Sequence, residues 1–163
     1  AAVLLGIWWI GAEAVLDVGA PSGAAVDIAL CTADRLDEGD AAADGGEVVV
    51  LSLDPFGKAV PDLPIGVTDY ATSVRVHGDQ IVPERAPGAA LDGHSPAEVL
   101  AGATRVASEQ GFAAGDRVMS TAPWATSDDL ERHFLAVLAA GGSLVQVANP
   151  DPARLDRRRQ MER

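Results

Sequence analysis

The sequence predicts an α/β protein, a three-layer arrangement in which a mostly parallel sheet is flanked by helices. Short apolar runs alternate with helix-like stretches along much of the chain, and that alternation is the pattern of layered α/β domains. The run EVVVLSL at 47–53 is continuously apolar and β-branched, as in a strand covered on both faces. The stretch from His94 to Asp151 reads as helix, strand, helix, strand in immediate succession. At 163 residues the chain suits a single α/β domain over 1–163, with 58–93 as an irregular segment. Strands are expected at 26–31, 47–52, 116–121 and 143–148, at least three of them in one sheet.

Each element has a local reason. Residues 2–11 are apolar on every side and suit a buried helix ended by Gly11, with a short strand at Ala14–Leu16. Gly19 to Gly23 is a loop by composition. Val26–Cys31 is a strand, and Thr32–Leu36 starts a short helix expected to dissolve into the acidic loop around Glu38–Gly46. Asp54-Pro55-Phe56-Gly57 is a turn signal. Within 58–93, rich in Pro, Gly and Asp, a short helical or strand piece is expected around Tyr70–Val76. Ser95-Pro96-Ala97-Glu98 combines a capping serine, a proline at the first helical position and a glutamate three residues after the cap. That helix runs to about Gln110, with Gly111 as its terminator. Asp116–Thr121 is a strand, and Ser127–Ala140 is a helix with Asp128 and Asp129 at its positive end. Ser143–Ala148 is the last strand, and a final helix follows Asp151.

Composition excludes several functions. A net charge of −12 disfavours a nucleic-acid or anionic-membrane surface, because neutralising phosphate needs clustered Lys and Arg. The terminal run RLDRRRQMER carries five Arg, but Asp156 and Glu162 among them suit a solvated helix with internal ion pairs as well as a binding patch. The opening AAVLLGIWWI is too short to span a bilayer and lacks the basic lead-in that a signal peptide requires, so a buried helix is the expectation. Its abrupt start is expected to lie inside what is a longer domain in related proteins, leaving Trp8 or Trp9 exposed or covered by self-association. The one cysteine, Cys31, cannot form an intramolecular disulfide and fits a reducing cytoplasm; within VDIALC it reads as a small core residue rather than a nucleophile. Alanine and arginine richness, with Lys58 the sole lysine, points to a high-GC coding sequence.

These motifs in this order carry a resemblance. The helix 96–110, GDRVMSTAP at 115–123, the helix 128–140, Ala140-Gly141-Gly142 before strand 143–148, and Pro150-Asp151-Pro152 before a helix resemble the large N-terminal domain of adenylate-forming enzymes. That superfamily includes acyl-CoA synthetases, luciferases and peptide-synthetase adenylation domains. The opening AAVLLGIWWIGAEAVLD resembles an earlier helix and strand of the same domain, and LSLDPFGKAVPDLPIGVTDYATSVRVHGD is similar to a small actinobacterial family of AMP-binding-enzyme-like proteins.

The resemblance implies activation of a carboxylate with ATP and magnesium, then transfer of the acyl group to a thiol. Such chemistry needs backbone donors and a cation around the phosphates. Where the phosphate loop belongs, this chain has GDQIVPERAPGAALD at 78–92, without lysine and with Asp79, Glu84 and Asp92. No Tyr-Gly-x-Thr-Glu string occurs, and Gly57-Lys58 lacks the glycine framework of a phosphate loop. One correspondence survives: Pro123-Trp124 falls where the family lines its acyl pocket, which makes Trp124 a candidate contact for an acyl or small apolar ligand, with Thr126 as a helix-capping neighbour. Packing of Trp124 against the sheet edge is the competing reading. His77, His94 and His133 have no metal-ligand spacing, and neither Ser22 nor Ser95 sits in a Gly-x-Ser-x-Gly elbow. No catalytic residue, cofactor or metal is therefore assigned. Two classes stay open: an inactive relative of acyl-CoA synthetases kept as a binding or partner protein, and a piece of a working adenylate-forming ligase.

Overall fold

The computed structural model describes residues 1–16, 26–78, 80, 82 and 88–162. The loop expected at Gly19–Gly23 and the acidic positions Asp79 and Glu84 lie outside the described residues. The chain is α/β, with parallel strands flanked by helices, and it divides into two compact units: Ala1–Asp17 with Pro83–Arg163, and Val18–Val82.

The 18–82 unit contains, in chain order, β1 (Ile28–Cys31), α2 (Leu36–Ala43), β2 (Glu47–Val50) and β3 (Val67–Asp69), numbered after a first helix at Ala2–Trp9, α1. β1 and β3 both pair with β2 in parallel, aligning Ala29 with Val48 and Val48 with Val67. Val48, Val49 and Val50 are all buried, which is the physical meaning of an unbroken β-branched run. One expectation is corrected: the acidic stretch after Leu36 is helix, not loop. Asp37 and Glu38 occupy the first turn of α2, where the helix dipole favours negative charge. The helix stops at Asp44, left-handed at φ 44°, followed by Gly45. β3 runs into α3 (Tyr70–Ser73), where the Asp69 side chain accepts from Thr72 N at 2.8 Å; a 3₁₀ turn, Val74–Val76, completes the helical piece expected there.

The other unit opens with α1 (Ala2–Trp9), which is not the buried helix expected: none of its residues is buried, and Leu5 and Trp9 are exposed. Gly11, at φ 77°, lets its own N–H reach Trp8 O and the Ala12 N–H reach Ile7 O, which closes the helix with its last carbonyls satisfied. α4 (Pro96–Gln110) carries the full reciprocal cap between Ser95 and Glu98 and ends at Gly111. β4 (Arg117–Ser120) and β5 (Ser143–Gln146) pair in parallel, Val118 facing Leu144. Between them, one continuous helical rod consists of α5 (Ser127–Leu130), a π-helical turn (Glu131–Leu135) and α6 (Ala136–Ala139). α7 (Pro152–Met161) is capped by Asp151 and exposed, its arginines paired within the helix at Arg154–Asp151 (3.1 Å) and Arg159–Asp156 (3.0 Å).

The expectation that three of the four long apolar strands share a sheet is overturned. Strands 26–31 and 47–52 lie in one sheet with β3, and 116–121 and 143–148 form a second, two-stranded sheet. Each pair is joined through its own intervening helix, so pairing is decided locally. Ala14–Leu16 is reduced to a single parallel bridge from Ala14 to Leu91.

Candidate functional site

The 92–95 turn lies immediately before α4, at the end of the 78–92 stretch where the resemblance places the phosphate loop. Here the donors are already taken. Gly93 N donates to Glu13 Oε1 at 2.6 Å, His94 N to Leu91 O at 2.9 Å, and Ser95 N to Glu98 Oε2 at 2.9 Å. Asp92 N donates to Ala14 O at 3.0 Å. The Asp92 carboxylate accepts Leu16 N through Oδ1 at 2.8 Å and the Ser127 hydroxyl through Oδ2, while its backbone is left-handed at φ 43°. Two carboxylates, Glu13 and Glu98, thus bond into this turn, and the third, Asp92, ties it to Leu16 and Ser127. The Ser95 hydroxyl and N–H, in that order of effect, keep the Glu98 carboxyl below its ordinary value, so it is an anion at neutral pH. A polyphosphate approaching this turn would meet negative charge instead of free N–H groups.

Trp124 follows β4 and packs on the core formed by Ala14, Leu91, Val99, Leu130 and Phe134. Its ring stacks on Phe134 with centroids 4.7 Å apart and planes tilted by 31°, a favourable offset geometry. Its indole Nε1 is enclosed and has no acceptor among the described residues. Thr126 caps the rod, its Oγ1 accepting from Asp129 N at 3.1 Å. The two candidate residues therefore flank the start of one helix, where Thr126 does the capping expected of it. Phe134 was missed by sequence reasoning because it sits on the π turn. There the Ala136 N–H bonds back five residues to Glu131 O, and the Gln110 amide nitrogen reaches Arg132 O at 3.2 Å.

A different feature offers room for a ligand. A cavity of about 430 Å³ opens between α1, α4 and α6, walled by Trp8, Val99, Leu100, Ala103, Leu135 and Leu138. Trp124 is not among its lining residues. Trp8 is fixed there by its Nε1–H, which donates to Ala90 O at 2.7 Å. Leu100 is 61% exposed and Leu138 42%, and along α1 Trp9 is 57% exposed. The exposure expected of Trp8 or Trp9 thus falls on Trp9.

In the 18–82 unit, Lys58 is exposed and its N–H contacts Asp54 Oδ1 at 3.4 Å, within the Asp54–Gly57 turn. Cys31 packs against Ala29, Ala43 and Val48. Burial raises its thiol pKa, outweighing the attraction of Arg35, so the thiolate is scarcer than in a free cysteine. Among the described residues no polar or charged side chain is buried, and no helix is long and apolar enough to cross a membrane.

A protein of Mycobacterium tuberculosis, described as a TIGR03089 family protein, is 60% identical over 162 residues, which covers 97% of this chain and 65% of that protein. The chain thus spans just under two thirds of the length of the curated relative it matches. No family model matches the chain. No solved structure matches it.

Proposed function

We propose that this chain is a catalytically silent relative of the acyl-CoA synthetases and other adenylate-forming enzymes, acting in the cytoplasm as a binding or partner protein. One observation carries the reading: in the turn that follows the expected phosphate loop, the N–H groups of 92–95 are satisfied by internal acceptors, with the carboxylates of Glu13 and Glu98 directed into the turn and that of Asp92 tying it to Leu16 and Ser127. Opening it for ATP would break these bonds and place phosphate beside the freed anions. Lys58 lacks the glycine framework of a phosphate loop, following the Asp54–Gly57 turn with its backbone N–H directed to Asp54 Oδ1. In this reading Trp124 is the side chain beside which an apolar acyl group would pack, its enclosed Nε1, without an acceptor among the described residues, not being open to the ligand, and Thr126 sets the helix beside it.

The test is an ATP–pyrophosphate exchange assay across a panel of carboxylic acids, with calorimetry of ATP–magnesium and of acyl-CoA. No exchange and no nucleotide heat are expected. Exchange above background that Lys58→Ala abolishes would overturn the reading. A second reading, that the chemistry belongs to a longer ATP- and magnesium-dependent ligase of which this is a piece, is favoured by the greater length of the mycobacterial relative. The same assay on that relative at full length separates the two.

A further inference from the structure

We infer that the apolar groove between α1, α4 and α6 is the seat of an apolar polypeptide segment, drawn from further chain such as that by which the mycobacterial relative exceeds the matched 162 residues. The inference is independent of whether the 92–95 turn ever held a nucleotide. The groove is large, and the lining side chains are apolar throughout. Its rims, Leu100 and Leu138, are exposed, and Trp9, Leu5 and Ile10 extend the apolar surface along α1. Apolar patches of this continuity on a protein are ordinarily covered by something.

Three occupants compete, and the chemistry separates them. A free small molecule is normally oriented by a few polar groups set into an apolar pocket. The described lining offers no polar or charged side chain to do that. A second copy would bring together two chains that each carry −12, and that repulsion opposes close association at low salt. A segment presenting aliphatic or aromatic side chains needs no polar reader. When it belongs to the same chain, its effective concentration reaches the millimolar range, so a modest contact suffices. The relative has further chain from which a segment could come, since only 65% of its length is matched here.

The experiment adds overlapping peptides spanning that unmatched part to the 163-residue chain, following amide chemical shifts in α1, α4 and α6. Leu100→Asp and Leu138→Asp serve as controls, both at exposed positions that leave the fold intact by circular dichroism. We expect one peptide to bind saturably, with shifts centred on the groove, and either substitution to weaken it about tenfold or more. Absence of binding by every peptide overturns the inference. So does concentration-dependent dimerisation abolished by Leu100→Asp, which would make a second copy the occupant. Saturable uptake of octanol into the groove, unaccompanied by any peptide binding, would assign it instead to a small ligand and equally overturn the proposal.

Discussion

Replacing Asp92 separates hydrogen bonding from backbone conformation at one position. The carboxylate holds Leu16 N at 2.8 Å and the Ser127 hydroxyl, so it ties the chain before α4 both to residue 16 and to the start of the 127–139 rod. Hydrogen bonds to a charged group contribute about 1.5–3 kcal/mol each, and the lower end applies to a half-buried site, so Asp92→Ala should cost about 3 kcal/mol. Alanine must also hold φ near 43°. Glycine at the same position loses the same bonds but relieves about 1–2 kcal/mol of left-handed strain, against about 0.4–1 kcal/mol of extra unfolded-state entropy. Asp92→Gly should therefore be milder than Asp92→Ala by roughly 0.5–1 kcal/mol. Asp92→Asn keeps an oxygen for Leu16 N and can donate to the Ser127 oxygen, so its loss should be about 1 kcal/mol. All three tryptophans, Trp8, Trp9 and Trp124, belong to the unit that contains Asp92, so urea unfolding followed by tryptophan fluorescence reports on that unit. A cost for Asp92→Ala below about 1 kcal/mol would refute the clamp, since it is less than a single charged hydrogen bond.

The remaining predictions use the same logic elsewhere. A Cβ at Gly39 would lie 2.8 Å from Cys31 Sγ. Gly39→Ala should thus destabilise the 18–82 unit by about 1–3 kcal/mol despite its better helix propensity, and adding Cys31→Ala should restore protection of the Val49 and Val50 amides in hydrogen exchange; failure of that rescue refutes the clash. Trp124→Phe should cost less than about 1 kcal/mol, since it keeps a ring on Phe134 and removes an unpartnered donor, whereas Trp124→Ala should cost about 3–5 kcal/mol. Equal losses in urea unfolding would mean that Nε1 has an acceptor. Glu98 titrates below its ordinary value of 4.5 in the fold, so its contribution is complete above that value and is lost as pH falls through the lower, folded one. Thermal midpoints of Glu98→Gln and the parent chain should accordingly converge on acidification from neutral pH toward pH 3, and parallel curves would count against the Ser95–Glu98 bond.

Much of this was legible in the residues because the signals are local. Ser95, Pro96, Glu98 and Gly111 fix α4 at both ends, and the positions observed are those the spacing requires. Thr126 capping the rod, and α7 as a helix with internal ion pairs, follow from the same short-range rules. α2 was hidden because acidic residues read as loop until their place in the first turn is known. Sheet membership was not legible, since identical apolar runs serve either sheet and only the paired partner decides. At the candidate site, Trp124 was visible as a residue but not its partner Phe134, and Glu13, some 80 positions from Gly93, gave no local sign of entering the 92–95 turn.

The π turn at Glu131–Leu135 makes the 127–139 rod sensitive to chain length in an unusual way. One surplus residue is absorbed there without breaking the rod, and Gln110 takes up Arg132 O. Deleting one residue in this turn would let an ordinary α-helix run through with the segment beyond it facing nearly as before, whereas deleting one from the α-helical part ahead of it would swing everything beyond by about 100°. Ala136, now wholly enclosed with Val106 and Ala107, would be carried off its seat, and the side of α6 that walls the groove would turn with it. A single-residue deletion acts on the groove as a rotation in the α-helical parts of the rod but not in the π turn, so loss of one residue among related chains is better tolerated at Glu131–Leu135 than in the helix on either side of it.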